Sequence, residues 1–575
     1  MKKYFCTKNR SLFRAAIFLT LFIWGSCKSV IYDTPRPQKH VTAEHAVVVS
    51  AHPLASQTGI DILKKGGNAA DAMVAVNFAL AVVYPRAGNL GGGGFMVLRL
   101  PDGTAEAVDY RETAPALAHR DMYLDSSGNV IPRLSTEGGL AVGVPGTVAG
   151  LYAVWKKYGS LDWESLIRPA IRLAEKGFRI SNAEAKRLNA YHDLIVKYNP
   201  RNTIFTKSGW KEGDLLRQPE LARTLKLIAR KGPSGFYEGE VAEATVKTVK
   251  SHGGIMETKD LKDYRAKFRE PVRVQYKNYR IISMPPPSGG GIALGQLMLI
   301  TEDYPVKQWG FHTFKTVHLM VEAEKRVYAD RARYLGDPDF VDIPTDTLLS
   351  KEYLRRKMAD FDPFKATPSE KIYRGNSVLR KESFETTHIS IVDNERMAVS
   401  CTTTLNSNYG SKLIVEGYGF FLNNEMDDFS AKPGVPNQFG LIGAEANAIA
   451  PGKRMLSSMT PTIVEKNGKL HMVLGTPGGS TIITSVYQVI LNVLEFDMSM
   501  YDAVQAKRFH HQLLPDVMLY ERGAFGRGVL DSIKASGQAV KPVKALGYVK
   551  AVLVNGTLLE GSGDERNPDD DAEGY

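Results

Sequence analysis

Two hydroxyl clusters stand at the ends of one candidate hairpin. Thr386 and Thr387 open "TTHISIVD", where a charged stretch gives way to strand, and "MAVSCTTT" ends on Thr404. Threonine is an ordinary strand residue, but its hydroxyl becomes a nucleophile when a base sits beside it. Taking Asn394, Glu395 and Arg396 as a three-residue loop pairs Asp393 with Met397, a common hairpin geometry. Carried to the far end of the ladder, that register sets Thr386 opposite Thr404. Cross-strand neighbours have Cβ atoms about 4.5 to 5.5 Å apart, so the two hydroxyls can share a hydrogen bond. His388 lies on the same strand face, but a side chain two residues along points parallel to its neighbour, and no Asp follows to orient it; it reads as structural. Cutting the chain before Thr386 supplies another base, because an N-terminal α-amine has a pKa of about 7.7 to 8.0 and can accept the hydroxyl proton.

The elements that must position this hairpin are readable around it. Ser56 can cap a helix to about Lys65, ended by Gly66 and Gly67, and Asn68 can cap a second, apolar helix that stops near Pro85. "NLGGGGFMVLRL" (89 to 100) turns into a strand, and helices continue to about 330, broken by a loop at "SMPPPSGGG" (283 to 291). Residues 351 to 385 are rich in charge and poor in apolar periodicity, which reads as exposed and mobile. Strands follow, then a helix near 480 to 495. Helices and strands therefore segregate, which favours an α+β stack of sheet and helix layers over a doubly wound parallel sheet.

Several long motifs in order carry a resemblance to one family. "HPLASQTGIDILKKGGNAADAMVAV", "GNLGGGGFMVLRL" and "DYRETAP" resemble the large subunit of γ-glutamyltransferases; "TTHISIVD", "TTTLNSNYG", "GFFLNNEMDDFSAKPGVPN", "KRMLSSMTPTIV" and "LGTPGGS" resemble the small one. The resemblance runs from about Ala46 to Tyr575. It implies an N-terminal-nucleophile hydrolase with a four-layer αββα sandwich, made as one inactive chain that cuts itself between Glu385 and Thr386. The large subunit would be 46 to 385 and the small one 386 to 575.

The same resemblance implies a role for each matching position. Thr386 attacks the γ-carbonyl of glutathione or another γ-glutamyl donor, and water, an amino acid or a dipeptide then takes the γ-glutamyl group. Thr404 orients the nucleophile. Gly478 and Gly479 match the oxyanion pair, although "PGGS" alone reads as a turn. Arg111 would take the donor α-carboxylate, since a guanidinium fork suits two oxygens, with support from Ser457 and Ser458. Asp428, Glu425 and Asn406 would accept from the α-ammonium. Arg566, near the C-terminus, is expected to orient Asp428 and the small-subunit tail, and Phe439 occupies a lid position where bacterial relatives often carry tyrosine.

Composition bounds the partners. The net charge of +11 includes five basic residues in the first 26 with no acid among them, leaving +6 for the remainder, too mild a balance to argue for nucleic acid. Those 26 residues have a basic start, an apolar run from Ala15 to Trp24 and small residues before Cys27: an export signal whose Gly-Ser-Cys resembles a lipoprotein processing site. Cys27 is then expected to carry a lipid anchor in the cell envelope, with 28 to 45 as a tether; ordinary cleavage nearby, giving a periplasmic protein, or an uncleaved anchor is the alternative. Only Cys401 lies beyond it, so no disulfide framework is available. No phosphate loop, Gly-x-Ser-x-Gly elbow or His-Glu-x-x-His helix is present, and no metal or organic cofactor is expected. Two other readings stay open, a glutaryl or cephalosporin acylase of the same fold and a noncatalytic envelope lipoprotein.

Overall fold

Residues 31–373 and 386–575 are described by the structure, a computed structural model. Two seven-stranded sheets lie at its centre. The first runs, in order, Asp571–Gly574, Val47–Ser50, Thr386–Val392, Ala398–Thr404, Gly93–Arg99, Ala105–Tyr110 and Lys267–Arg269. The second runs His40–Ala43, Leu558–Ser562, Lys550–Asn555, Lys469–Gly475, Thr462–Lys466, Tyr279–Ser283 and Val272–Tyr276. Every pairing within both is antiparallel.

Alternation along each strand sorts side chains into layers. Ile389 and Ile391 face the helices Pro53–Lys64 and Ala69–Val83 across one core. Val49, Phe95 and Val97 meet Ile282, Val473 and Val552 between the sheets. On the far side Gly290–Glu302, Phe314–Tyr334 and Ile482–Leu494 cover the second sheet. The result is the expected four-layer αββα sandwich, and among the described residues its three interlayer cores draw on Tyr32 and later residues.

Local chemistry accounts for the element ends, with some departures from the sequence reading. Asn68 does cap Ala69–Val83, accepting from the N–H groups of Ala70 and Asp71 while Asp71 accepts from Asn68. The preceding helix, however, starts at Pro53 with His52 as its cap, its Nδ1 accepting from Leu54; Ser56 lies inside it, bonded to Ser50. Proline at the first helical position is pre-set for a helix start, which moves the boundary forward. The loop before Gly290–Glu302 is shorter than expected, because Gly290 and Gly291 already belong to the helix.

The expected free tether is also shorter. Gln38 accepts no freedom: its N–H donates to Asp571, and His40–Ala43 is the edge strand of the second sheet. Residues 351–373 are likewise built in. Lys351–Lys357 buries Leu354, Thr367 is held by Glu322 and Lys325, and the Ser369 N–H donates to Asp516. Most side chains here are exposed, as expected, but Lys357 and Asp360 pair with Asp330 and Arg326 of the buried helix Phe314–Tyr334. Residues 374–385, including Glu385, and the signal region lie outside the described residues.

Candidate active site

The hairpin has the expected register, with Thr386 opposite Thr404. Its tip is closed by Asp393, whose carboxylate accepts from the N–H groups of Glu395 and Met397, and Arg396 takes the left-handed conformation at φ 65°. The Thr386 hydroxyl donates to Thr404 Oγ1 at 3.3 Å, and the same oxygen accepts from the Asn406 N–H at 2.8 Å. Thr404 thus ties Thr386 to the start of the next loop. Thr404→Val, which keeps the shape, is expected to lower kcat about 10- to 100-fold with little change in KM, because it frees the nucleophile and strands a buried N–H; steady-state kinetics on the correctly folded variant checks this.

His388 is no base for this threonine. Its Nδ1 is bonded to Thr402 Oγ1 at 2.8 Å and its Nε2 to Ser390 at 3.1 Å, and burial, with Lys550 nearby, holds its pKa well below the usual range. The imidazole is a neutral strut between the sheets.

Thr386 opens on a cavity of about 20 Å³ whose walls include Thr404, Asn406, Arg111, Glu425, Asp428, Ser457, Ser458 and Gly479. That volume holds about one water. Long-range contacts build it: Arg111 follows the strand Ala105–Tyr110, Glu425 and Asp428 sit on a short 3₁₀ turn, and the serines lie on the loop before Thr462–Lys466. Arg111 is held by its backbone and stem: its N–H donates to Asp109, its carbonyl accepts from Tyr264, and its Nε donates to the Met455 carbonyl. Its two terminal nitrogens pair with Glu425 and Asp428.

The proposed carboxylate receptor and ammonium acceptors are therefore joined to each other. Burial alone would lower the pKa of Arg111, but Glu425 and Asp428 hold it above the usual range. Burial raises Glu425 and Asp428 against the pull of Arg111. Glu112, also fully buried, has Oε2 3.8 Å from Arg111, no hydrogen bond to either oxygen, and a pKa pushed up to about 8 by burial. A zwitterionic ligand suits this cluster, since its carboxylate can pair with Arg111 while its ammonium takes up the Glu425 and Asp428 carboxylates that Arg111 gives up.

Gly478 precedes, and Gly479 opens, the 3₁₀ turn Gly479–Thr481 that runs into Ile482–Leu494. Both have positive φ, 146° and 54°, which glycine tolerates. N–H groups at a helix start have no partner within the helix, and the dipole is positive there, so this end favours a developing oxyanion. Phe439 covers it: a Cβ on Gly479 would lie 3.0 Å from its ring. Ser457 Oγ accepts from the Met459 N–H, whereas Ser458 Oγ is buried with no partner and lines the cavity.

One expected role is corrected. Arg566 does not reach Asp428; it pairs with Glu521 and Asp564 and donates to the carbonyls of Val504, Gln505 and Ala506. It locks the tail to the helix Met500–Gln505. Asp428 is instead steadied by Asn437, whose Nδ2 donates to it at 3.2 Å while its Oδ1 accepts from Phe439 N–H, linking ammonium acceptor and lid. The sequence reading also missed Arg331, 4% exposed, lining the cavity, its Nε without a hydrogen-bond partner. It sits on Phe314–Tyr334, where Glu322, Glu324, Lys325, Arg326 and Asp330 are buried too; a charge-rich helix reads as solvated, so pattern carries no signal for it.

Comparison with known proteins bears on this geometry. The gamma-glutamyltranspeptidase family model matches residues 55–574. The glutathione hydrolase proenzyme of Escherichia coli (strain K12) is 43% identical over 98% of this chain and 99% of its own. Among solved structures, a cephalosporin acylase from Bacillus halodurans superposes with TM-score 0.82 at 25% identity over 94% of this chain and 98% of its own. The Helicobacter pylori gamma-glutamyltranspeptidase superposes with TM-score 0.55 at 46% identity, over 56% of this chain and 94% of its own. With the family model spanning nearly the whole sequence and a relative this similar along its full length, the chain belongs to the gamma-glutamyltranspeptidase family.

Proposed function

We propose that this chain is a self-processing γ-glutamyltransferase and glutathione hydrolase, cut between Glu385 and Thr386 into a large subunit, 46–385, and a small one, 386–575. One observation carries the reading: Thr386, paired with Thr404, opens on a cavity that also holds Arg111, Glu425, Asp428 and Gly479. After cleavage the α-amine of Thr386 takes the hydroxyl proton. The oxygen bonds to the donor γ-carbon, charge collects on the carbonyl oxygen beside the N–H groups of Gly478 and Gly479, and the C–N bond breaks as the proton passes to the leaving amine. For glutathione that amine is cysteinylglycine. Water, or the amine of an amino acid or dipeptide, then attacks the ester and restores Thr386.

Recognition would rest on Arg111 and Ser458 for the α-carboxylate, with Ser457 shaping that loop, and on Asp428, Glu425 and Asn406 for the ammonium. No protein-bound metal or cofactor takes part in this scheme. Export, with a lipid anchor at Cys27, follows from the sequence of the first 27 residues; no helix among the described residues is long and apolar enough to cross a membrane.

The structural likeness to a cephalosporin acylase keeps a second reading in play, hydrolysis of glutaryl amides. Such a substrate lacks the ammonium and would leave Asp428 and Glu425 uncompensated in the pocket. Glutathione is expected to exceed a glutaryl amide in kcat/KM on the order of 100-fold, from the cost of leaving a buried charge unpaired. Measuring both on the purified enzyme checks this, and a preference for the glutaryl compound would overturn the assignment.

A further inference from the structure

Far from the catalytic cavity in sequence, the helices Trp163–Lys176 and Pro219–Lys231 frame a surface groove of about 550 Å³. Lys176, Arg223, Lys226 and Arg230 line it, against Glu175 and Glu240. The two acids are already used, in Lys226–Glu175 and Arg223–Glu240 pairs. Lys176, Arg217 and Arg230 are exposed and have no carboxylate partner among the described residues. Arg217 belongs to the same face, its Nε donating to the Lys176 carbonyl at 3.0 Å.

The chain enters the body beside this face. The Tyr32 N–H donates to the Gly177 carbonyl at 3.3 Å, the Arg179 N–H returns to the Tyr32 carbonyl at 3.1 Å, and Asp33 pairs with Arg179. What reads in sequence as a long tether is thus reduced to the few residues between Cys27 and Tyr32, which fully extended reach at most about 18 Å. If Cys27 is held at a membrane, this face is held there too. One acyl chain alone binds membranes marginally, and a basic patch is the second signal that makes attachment stable. The patch acts only at close range, because screening cuts its field within about 8 Å at physiological salt.

We propose that the face bearing Lys176, Arg217 and Arg230 rests on an anionic phospholipid surface, next to the point where the N-terminal segment leaves the body. The orientation, though not the surface itself, rests on the lipid anchor proposed above.

The test uses residues 28–575, which contain all three cores and no acyl chain, sedimented with phosphatidylcholine vesicles with or without phosphatidylglycerol, at low and high salt. Binding only to the phosphatidylglycerol vesicles, lost at high salt, is expected. Combining Lys176→Glu, Arg217→Glu and Arg230→Glu should weaken it about 100-fold or more, at roughly five-fold per basic residue removed, with glutathione hydrolysis unchanged. Equal binding by the triple variant, equal binding to pure phosphatidylcholine, or tighter retention by single-stranded RNA than by the vesicles would overturn the proposal. Palmitate labelling of the full chain and of Cys27→Ala is read separately: no label at Cys27 with charge-dependent vesicle binding removes the anchor and keeps the surface, and a label without such binding does the reverse.

Discussion

Thr386→Ala is expected to stay a single chain on a denaturing gel, where the unaltered protein yields a fragment of residues 386 to 575 beginning with threonine. Hydrolysis of glutathione should fall on the order of 10⁴-fold or more, the scale seen when a hydrolase loses its nucleophile. The substitution removes one oxygen and one methyl group at a strand end that is 7% exposed, so the fold has little reason to change. Both losses have one cause: the hydroxyl that attacks the donor is the hydroxyl that must attack the preceding peptide carbon. Sequencing the small fragment and timing its appearance settle the assignment. A variant that still splits at the same bond would remove Thr386 from the mechanism and, with it, the free amine that the mechanism needs as base.

Arg111→Ala should produce the second large effect, on stability and activity together. Among the described residues Arg111 alone is salt-bridged to Glu425 and Asp428, with Glu112 at 3.8 Å. Removing one member of such a buried cluster costs about 3–5 kcal/mol, because the remaining charges are left uncompensated, and kcat/KM for glutathione should fall by about 10³-fold from loss of the fork that takes the α-carboxylate. The pH dependence has a definite sign. These carboxyls are raised in the folded protein, so their contribution to stability is present at low pH and lost as pH rises through the folded pKa, about 8 for Glu112. Without Arg111 the folded values rise further. The deficit in stability relative to the unaltered protein should therefore be small near pH 4 and large near pH 8, which denaturant titrations across that range measure. Arg111→Lys should recover much of the stability but little of the activity, since an ammonium supplies charge without the bidentate geometry.

Much of the catalytic hairpin was legible because its determinants are local. A three-residue loop fixes the register of the strands it joins, so Asn394, Glu395 and Arg396 were enough to place Thr386 against Thr404. Asn68 and Asp71 likewise announce a helix start by chemistry confined to four residues. The layered α+β class followed from the order of strands and helices. The boundary at His52 was missed because Ser56 is also a good cap, although Pro53 at the first helical position marks the earlier start.

Charge was read least well. The helix Phe314–Tyr334 carries a run of ionised residues that pattern assigns to solvent, yet they lie against residues 360–369 and the cavity: Glu322 pairs with Lys325 and Arg326 on the same helix and accepts from the Thr367 N–H, and Arg326 reaches Asp360. Arg331 enters the site by this route. Arg566 went the other way: its family-based assignment to Asp428 fails because the tail is held at Glu521 and Asp564 before it can approach the pocket.

By itself the sequence determined the family, the layered fold, the nucleophile's strand and the residue opposite it, because these depend on spacing, alternation and turn chemistry that neighbouring residues set. Only the tertiary structure decided that Arg111 closes on Glu425 and Asp428, that Arg331 lines the pocket and Asn437 backs Asp428, and that the N-terminal part of the chain is tied to the body at Tyr32 and Gln38. Those outcomes depend on which buried charges and edges are brought face to face across hundreds of residues, and burial, which sets both their energy and their protonation, is a property of the packed layers and not of any stretch of chain.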